Sequence, residues 1–129
     1  MFFDTNIIIL FLGDLLDKNL LDVLKEKTLM GKAYISHIVL GEVLAYSGYT
    51  ENQVKEIRKI LYLDFKVIKI DNEIMELASK IARDRKNKTG KKLKLIDSII
   101  AATAIVKNLK LATLDQDDFS EIDGLNVFS

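Results

Sequence analysis

The sequence predicts an α/β fold: a mostly parallel sheet with helices on both of its faces. Three observations carry this expectation. Short β-compatible stretches alternate with helical patterns along the whole chain, the segments between successive strands are long enough for helical crossovers, and two of the helical segments are apolar almost all round and ask to be buried. Strands joined by helical crossovers run parallel and connect right-handedly, and in such sheets a site lies beyond the carboxyl ends of the strands, where the strand order reverses.

The elements follow in order. Met1 to Asp4 is short, apolar and β-compatible, and Thr5 or Asn6 can cap a helix through the Ile7–Leu12 run, which Gly13 ends. Asp17 caps a second helix carrying Leu20, Leu21 and Leu24. Ala33-Tyr34-Ile35 is a second strand, and Ser36 caps a helix over Ile38–Tyr46. Thr50 to Gln53 has the form of a capping box, after which Val54, Ile57 and Leu61 recur at helical spacing. Phe65 to Ile70 alternates as a strand, and Asp71 starts a helix with Ile74, Leu77, Ala78, Ile81 and Ala82 on one face. A loop at Lys88–Lys92 leads to a helix from about Leu95 to Lys107. Lys110–Thr113 and Asn126–Phe128 are the last strands. With no repeat, linker or low-complexity tract, residues 1–129 read as one domain.

Composition narrows the chemistry. The chain is 49% hydrophobic and 29% charged, the balance of a soluble globular protein rather than a disordered one. It has no cysteine, so neither disulfides nor thiolate metal sites are available, and His37 is the only histidine. The N-terminal apolar run lacks a basic leader and is interrupted by Asp4; it is also far shorter than the ~20 residues of a membrane span. The expectation is a cytoplasmic protein. The net charge is zero but unevenly placed. Lys80 to Lys94 is basic, broken only by Asp84, and Asp115 to Asp123 is acidic with no basic residue. A basic segment attracts a polyanion, and an acidic focus holds a metal.

Four acids stand where ordinary folding would not put them. Asp97 sits within the apolar helix Leu95–Val106, where a lone ionised carboxylate costs several kcal/mol unless a cation compensates it. Glu42 repeats the pattern among Ile38, Val39, Ala45 and Tyr46, none of which neutralises it. Gly41 beside it costs the helix roughly 1 kcal/mol relative to alanine, for close approach or for packing. Asp4 and Asp115 each follow a strand end. Singly, these acids also read as a helix cap, a turn residue or partners of a distant lysine. Together they suggest a shared site for a hard cation, magnesium, manganese or calcium, rather than zinc or copper.

At these residues the sequence resembles the PIN-domain family, and within it the short toxins of the VapC type. Phe3-Asp4-Thr5-Asn6 is similar to the family's opening, Ser36 followed by Glu42 to its second element, and Leu95 to Ala104 around Asp97 to its third. Thr113-Leu114-Asp115-Gln116-Asp117-Asp118-Phe119 resembles its closing pattern. Ile96 and Ser98 stand where the family often has proline and alanine, a departure at the start of the helix rather than in the acid itself.

The resemblance spans essentially the whole chain and implies a three-layer α/β/α fold of strand order 3-2-1-4-5. It implies a magnesium- or manganese-dependent endoribonuclease, usually a homodimer, held inactive by a cognate antitoxin. Asp4, Glu42, Asp97 and Asp115 are then the catalytic and metal-binding acids, with Asp118 as the alternative fourth. A metal-bound water would serve as nucleophile, leaving a 5′-phosphate and a 3′-hydroxyl. Thr5, Asn6, Ser36 and Thr113 are candidates to orient the acids, alongside their capping and strand-ending roles. Lys91, Lys92 and Lys94 are candidates to track the RNA backbone. Two other kinds of reading compete: a PIN nuclease that is not a toxin or a catalytically idle PIN-like binding module, and a phosphatase forming an aspartyl-phosphate on Asp4. The second needs an acid two residues further on, where Asn6 stands.

Overall fold

Phe2 and Phe3, both fully buried, form the innermost strand, β1 (Phe2–Phe3), in a computed structural model that describes residues 1–129. The chain continues through α1 (Thr5–Leu12), α2 (Lys18–Leu29), β2 (Tyr34–Ser36), α3 (His37–Leu44), α4 (Glu51–Asp64) and β3 (Lys66–Ile68). It ends with α5 (Asn72–Thr89), α6 (Leu95–Val106), β4 (Leu111–Ala112) and α7 (Gln116–Phe119). The four strands pair in parallel in the order β3-β2-β1-β4.

Side-chain caps set where most helices begin. Asp17 accepts from Leu20 N, Ser36 from Val39 N and Asp71 from Ile74 N, while Thr50 and Gln53 close a reciprocal capping box. Each such cap is worth about 1 kcal/mol, which fixes a boundary more firmly than propensity does. The first helix departs from expectation. Its cap is Asp4, not Thr5 or Asn6, because β1 ends after only two residues and Asp4 is the first residue free to turn its carboxylate onto the helix.

The expected fifth strand is reduced to one parallel bridge, Leu111 to Val127. The reason lies in β4. Lys110 just before it and Ala112 within it give their carbonyls to β1, accepting from Phe2 N and Asp4 N. Leu111 alone faces outward, where it bonds Asn126 O and Phe128 N. A two-residue strand therefore offers one residue to its outer edge, and one bridge is all that forms.

The connections β1 to β2 and β2 to β3 move outward in one direction, whereas β3 to β4 returns across the sheet. Right-handed crossovers then put α1–α4 on one face and α5 with α6 on the other. The packing agrees, with α1 against α3, α3 against α4, and α5 along α6. Twenty-five buried apolar residues form one core, in which Phe65 meets Phe3 and Phe11 edge-on at centroid distances of 6.1 and 6.3 Å. Strand order reverses between β1 and β4, and beyond their carboxyl ends lie Asp4 and Thr113.

Candidate functional site

Strand register assembles the centre of the site. Phe3 pairs with Ala112, so the next residues along, Asp4 and Thr113, arrive side by side. Asp4 is only 5% exposed, and its two oxygens accept from different donors. Oδ1 takes the Thr5 backbone N–H at 2.8 Å and Oδ2 the Thr113 hydroxyl at 2.8 Å. Burial raises its pKa above the usual carboxylate value; those two hydrogen bonds oppose the rise, and the charges of Asp115 and Glu42 add to it.

The same short turn gathers two further acids. Thr5 donates its hydroxyl to Glu42 Oε1 at 2.6 Å, tying α1 to α3, and Asn6 donates Nδ2–H to Asp115 Oδ2 at 3.1 Å. Thr113 works in both directions, since its hydroxyl oxygen also accepts the Asp115 backbone N–H at 3.1 Å. Thr5, Asn6 and Thr113 thus each touch an acid of the site. Ser36 does not: it is fully buried, and its hydroxyl accepts from Val39 N at 3.3 Å as a helix cap.

Asp97 joins from the opposite helical layer. Its carboxyl is pushed up to about 6, first by burial and then by Asp4, Asp118 and Asp115, with Lys94 opposing. The helix that carries it is buried only from Ser98 to Ala104; Leu95 and Ile96 are about half exposed. The expectation that the whole helix is covered fails at its first turn, where Asp97 is left partly open. Asp115 perturbs both Asp4 and Asp97, whereas Asp118 perturbs Asp97.

The four expected acids therefore occupy one end of the sheet, but no three close to the spacing that would already grip a metal ion. Like charges repel, and Thr5 and Asn6 draw Glu42 and Asp115 toward α1. The donor set still fits a hard cation. All the candidate ligands are carboxylates, and the ion pairs of the structure, Lys59–Glu56 and Lys88–Asp123, leave Asp4, Glu42, Asp97, Asp115 and Asp118 unpaired.

Lys91, Lys92 and Lys94 are exposed on the segment between α5 and α6. Gly90, with φ of 72°, turns the chain out of α5 in a left-handed conformation that suits glycine. A Cβ at Gly41 would meet nothing within 4 Å, so neither close approach nor packing within the chain explains that glycine. The sequence reading missed α7, whose single turn is too short for periodicity. It also missed Arg85, whose guanidinium reaches the α7 carbonyls. Asp115 followed at three residues by Asp118, just before the buried Phe119, was the available signal for α7.

Comparison with known proteins bears on the chain as a whole. A family model described as the PIN domain matches residues 1–125. Ribonuclease VapC1 of Rickettsia felis is 32% identical over 110 residues, which is 81% of this chain and 81% of that protein. A toxin–antitoxin complex from Klebsiella pneumoniae has a chain of TM-score 0.71 at 29% identity, covering 96% of this chain and 93% of that one. VapBC2 from Rickettsia felis, bound to a DNA fragment from its promoter, has a chain of TM-score 0.82 at 20% identity, with coverage of 98% and 96%; at that identity the likeness is one of fold.

Proposed function

The chain belongs to the PIN-domain family, and from that membership we infer that it is a VapC-type ribonuclease, the toxin of a toxin–antitoxin pair. The observation that carries the reading is the unpaired acidic cluster around buried Asp4 at the reversal of strand order. A protein that tolerates such a cluster has a use for a cation there.

Asp4, Asp97 and Asp115, with Glu42, are the residues we assign to hold magnesium or manganese. When bound, the ion supplies a water of lowered pKa and neutralises charge developing on the phosphate. The protein's own part is positioning. Thr113 and the Thr5 backbone fix both oxygens of Asp4, and Thr5 and Asn6 set the rotamers of Glu42 and Asp115. Hydrolysis adds water across the P–O3′ bond, leaving a 5′-phosphate on one fragment and a 3′-hydroxyl on the other. Lys91, Lys92 and Lys94 lie just before Asp97 in sequence and supply positive charge for the RNA backbone.

The test is cleavage of RNA by purified protein with magnesium or manganese, by the same protein with chelator, and by Asp4→Asn. Cleavage that needs the cation and is lost in the variant supports the reading. Cleavage indifferent to Asp4 would defeat it, and a folded protein inert on RNA would favour the idle binding module.

The relatives with solved complexes also point to an antitoxin as partner. An arginine or lysine of such an inhibitor would find the unpaired acids a ready target. No helix is long and apolar enough to cross a membrane; the cytoplasm, where an RNA target would be met, is the place of work this reading proposes. For the homodimer, only apolar residues left uncovered can form the interface. Ile7, Ile8, Leu24, Val39, Leu40, Val43 and Leu61 are already covered by the core, while Leu29 and Leu63 stand 89% and 83% exposed. Sedimentation at micromolar concentration tests the dimer, and a monomer there would count against it.

A further inference from the structure

α7 carries or adjoins both candidates for the fourth acid, yet it has little to hold it. It is one turn of four residues, and Asp115 makes no side-chain cap hydrogen bond at its start. A single turn leaves nearly all of its carbonyls without intrahelical partners, and a helix this short is unstable by itself. Phe119, buried in the core, anchors one side.

Gln116 reaches Phe128 O at 3.4 Å, and the carbonyl end is held by one residue of a different helix. Arg85 in α5 donates from Nη1 to Asp118 O at 2.9 Å and to Ser120 O at 3.0 Å, and from Nη2 to Asp117 O at 3.3 Å. Three carbonyls at the end of the turn thereby meet one planar fork; that of Asp117 also accepts from the Ser120 backbone and hydroxyl, and a cation suits the negative end of a helix. Arg85 makes no ion pair, although Asp117 and Asp118 are adjacent; its donors go to the backbone. Directly after the last carbonyl it holds, Glu121 adopts φ of 61°, a left-handed conformation that side chains seldom take. A turn so costly needs restraint from outside.

We propose that Arg85 is a positioning residue for the acidic site, clamping α7 so that Asp115 and Asp118 stay turned toward Asp97. The proposal rests on the metal-dependent reading of the site. Loss of the clamp lets α7 fray, and a cation must then order it on binding, so affinity falls. Residues that orient ligands typically matter by ~10–100-fold, and a partly exposed clamp belongs at the lower end, about tenfold.

The experiment compares the full-length wild type with Arg85→Gln, Arg85→Lys and the control Lys86→Gln, which removes one charge from the same stretch of α5 without touching α7. Three quantities are read: manganese affinity by direct titration of the free ion, amide exchange over residues 116–120, and RNA cleavage against manganese concentration. Arg85 lines an open cavity of about 420 Å³ rather than the core, so its variants keep the fold. Expected for Arg85→Gln are about tenfold weaker manganese binding, faster exchange over residues 116–120, and cleavage that recovers toward wild type at high manganese. Arg85→Lys regains part of the affinity, and Lys86→Gln matches wild type. Unchanged affinity or unchanged exchange in Arg85→Gln overturns the clamp, as does an equal loss in Lys86→Gln, which would reduce the effect to net charge. A wild type that binds manganese but leaves RNA intact would overturn the nuclease reading while the first two measurements still judge the clamp. A wild type that binds no manganese overturns both.

Discussion

The Thr113 hydroxyl donates to Asp4 Oδ2 at 2.8 Å across 109 residues of sequence, and this bond joins the two strands between which the sheet reverses its order. It also carries Asp115, whose backbone N–H is received by the same hydroxyl oxygen.

Replacing Thr113 by valine should therefore cost about 1–3 kcal/mol of stability, the usual penalty for leaving a buried polar group without its partner. The loss should grow as pH rises, because the lost donor matters most once Asp4 is ionised. Thr113→Ser should retain most of the stability. Urea denaturation at pH 4 and pH 7 checks both, and a valine variant as stable as the serine one would contradict the assigned bond.

Asp97 makes the clearest pH prediction. In the folded chain its carboxyl is pushed up to about 6, above the ordinary carboxylate value of 3.8. A raised carboxyl favours the protonated folded state, so its contribution is fully present below pH ~4 and is lost as pH rises through ~6. Without added metal, Asp97→Asn should be more stable than wild type at pH 7, and the difference should shrink toward pH 4. The same variant should lose cation-dependent RNA cleavage while remaining folded. Parallel loss of folding and activity would instead assign Asp97 a structural role.

The fourth acid is decided by a pair of substitutions. Asp115 acts on both Asp4 and Asp97, and Asn6 holds its Oδ2; Asp118 acts on Asp97. Asp115→Asn should raise the manganese concentration needed for half-maximal cleavage more than Asp118→Asn does. The reverse order would transfer the assignment to Asp118.

Lys91, Lys92 and Lys94 should reveal themselves through salt. If each meets a phosphate of single-stranded RNA, changing one to glutamine lowers the slope of log affinity against log salt by about 0.7, whatever the RNA sequence. Binding measured between 50 and 200 mM salt with Asp4→Asn, which holds RNA without cutting it, reads the slope. An unchanged slope in all three variants would leave the lysines as solvated surface.

Much of this protein was determined by its sequence alone, because the forces involved are local. Caps at Asp17, Ser36, Thr50 and Asp71 act within three residues, and apolar periodicity declares the buried face of a helix from its own composition. The oddity of Asp97 and Glu42 was likewise local: a carboxylate among apolar neighbours is conspicuous without any knowledge of the fold. Only the tertiary structure decided what those acids meet. Register between β1 and β4 set Thr113 against Asp4, the length of β4 limited the last pairing to one bridge, and packing buried α6 from Ser98 to Ala104 while leaving its first turn open. Arg85 belongs to the same class. Nothing in its own stretch of basic residues distinguishes it from Arg83 or Lys86; it is singled out by carbonyls more than thirty positions away, which reach it only once α5 and α7 are folded on the same side of the site.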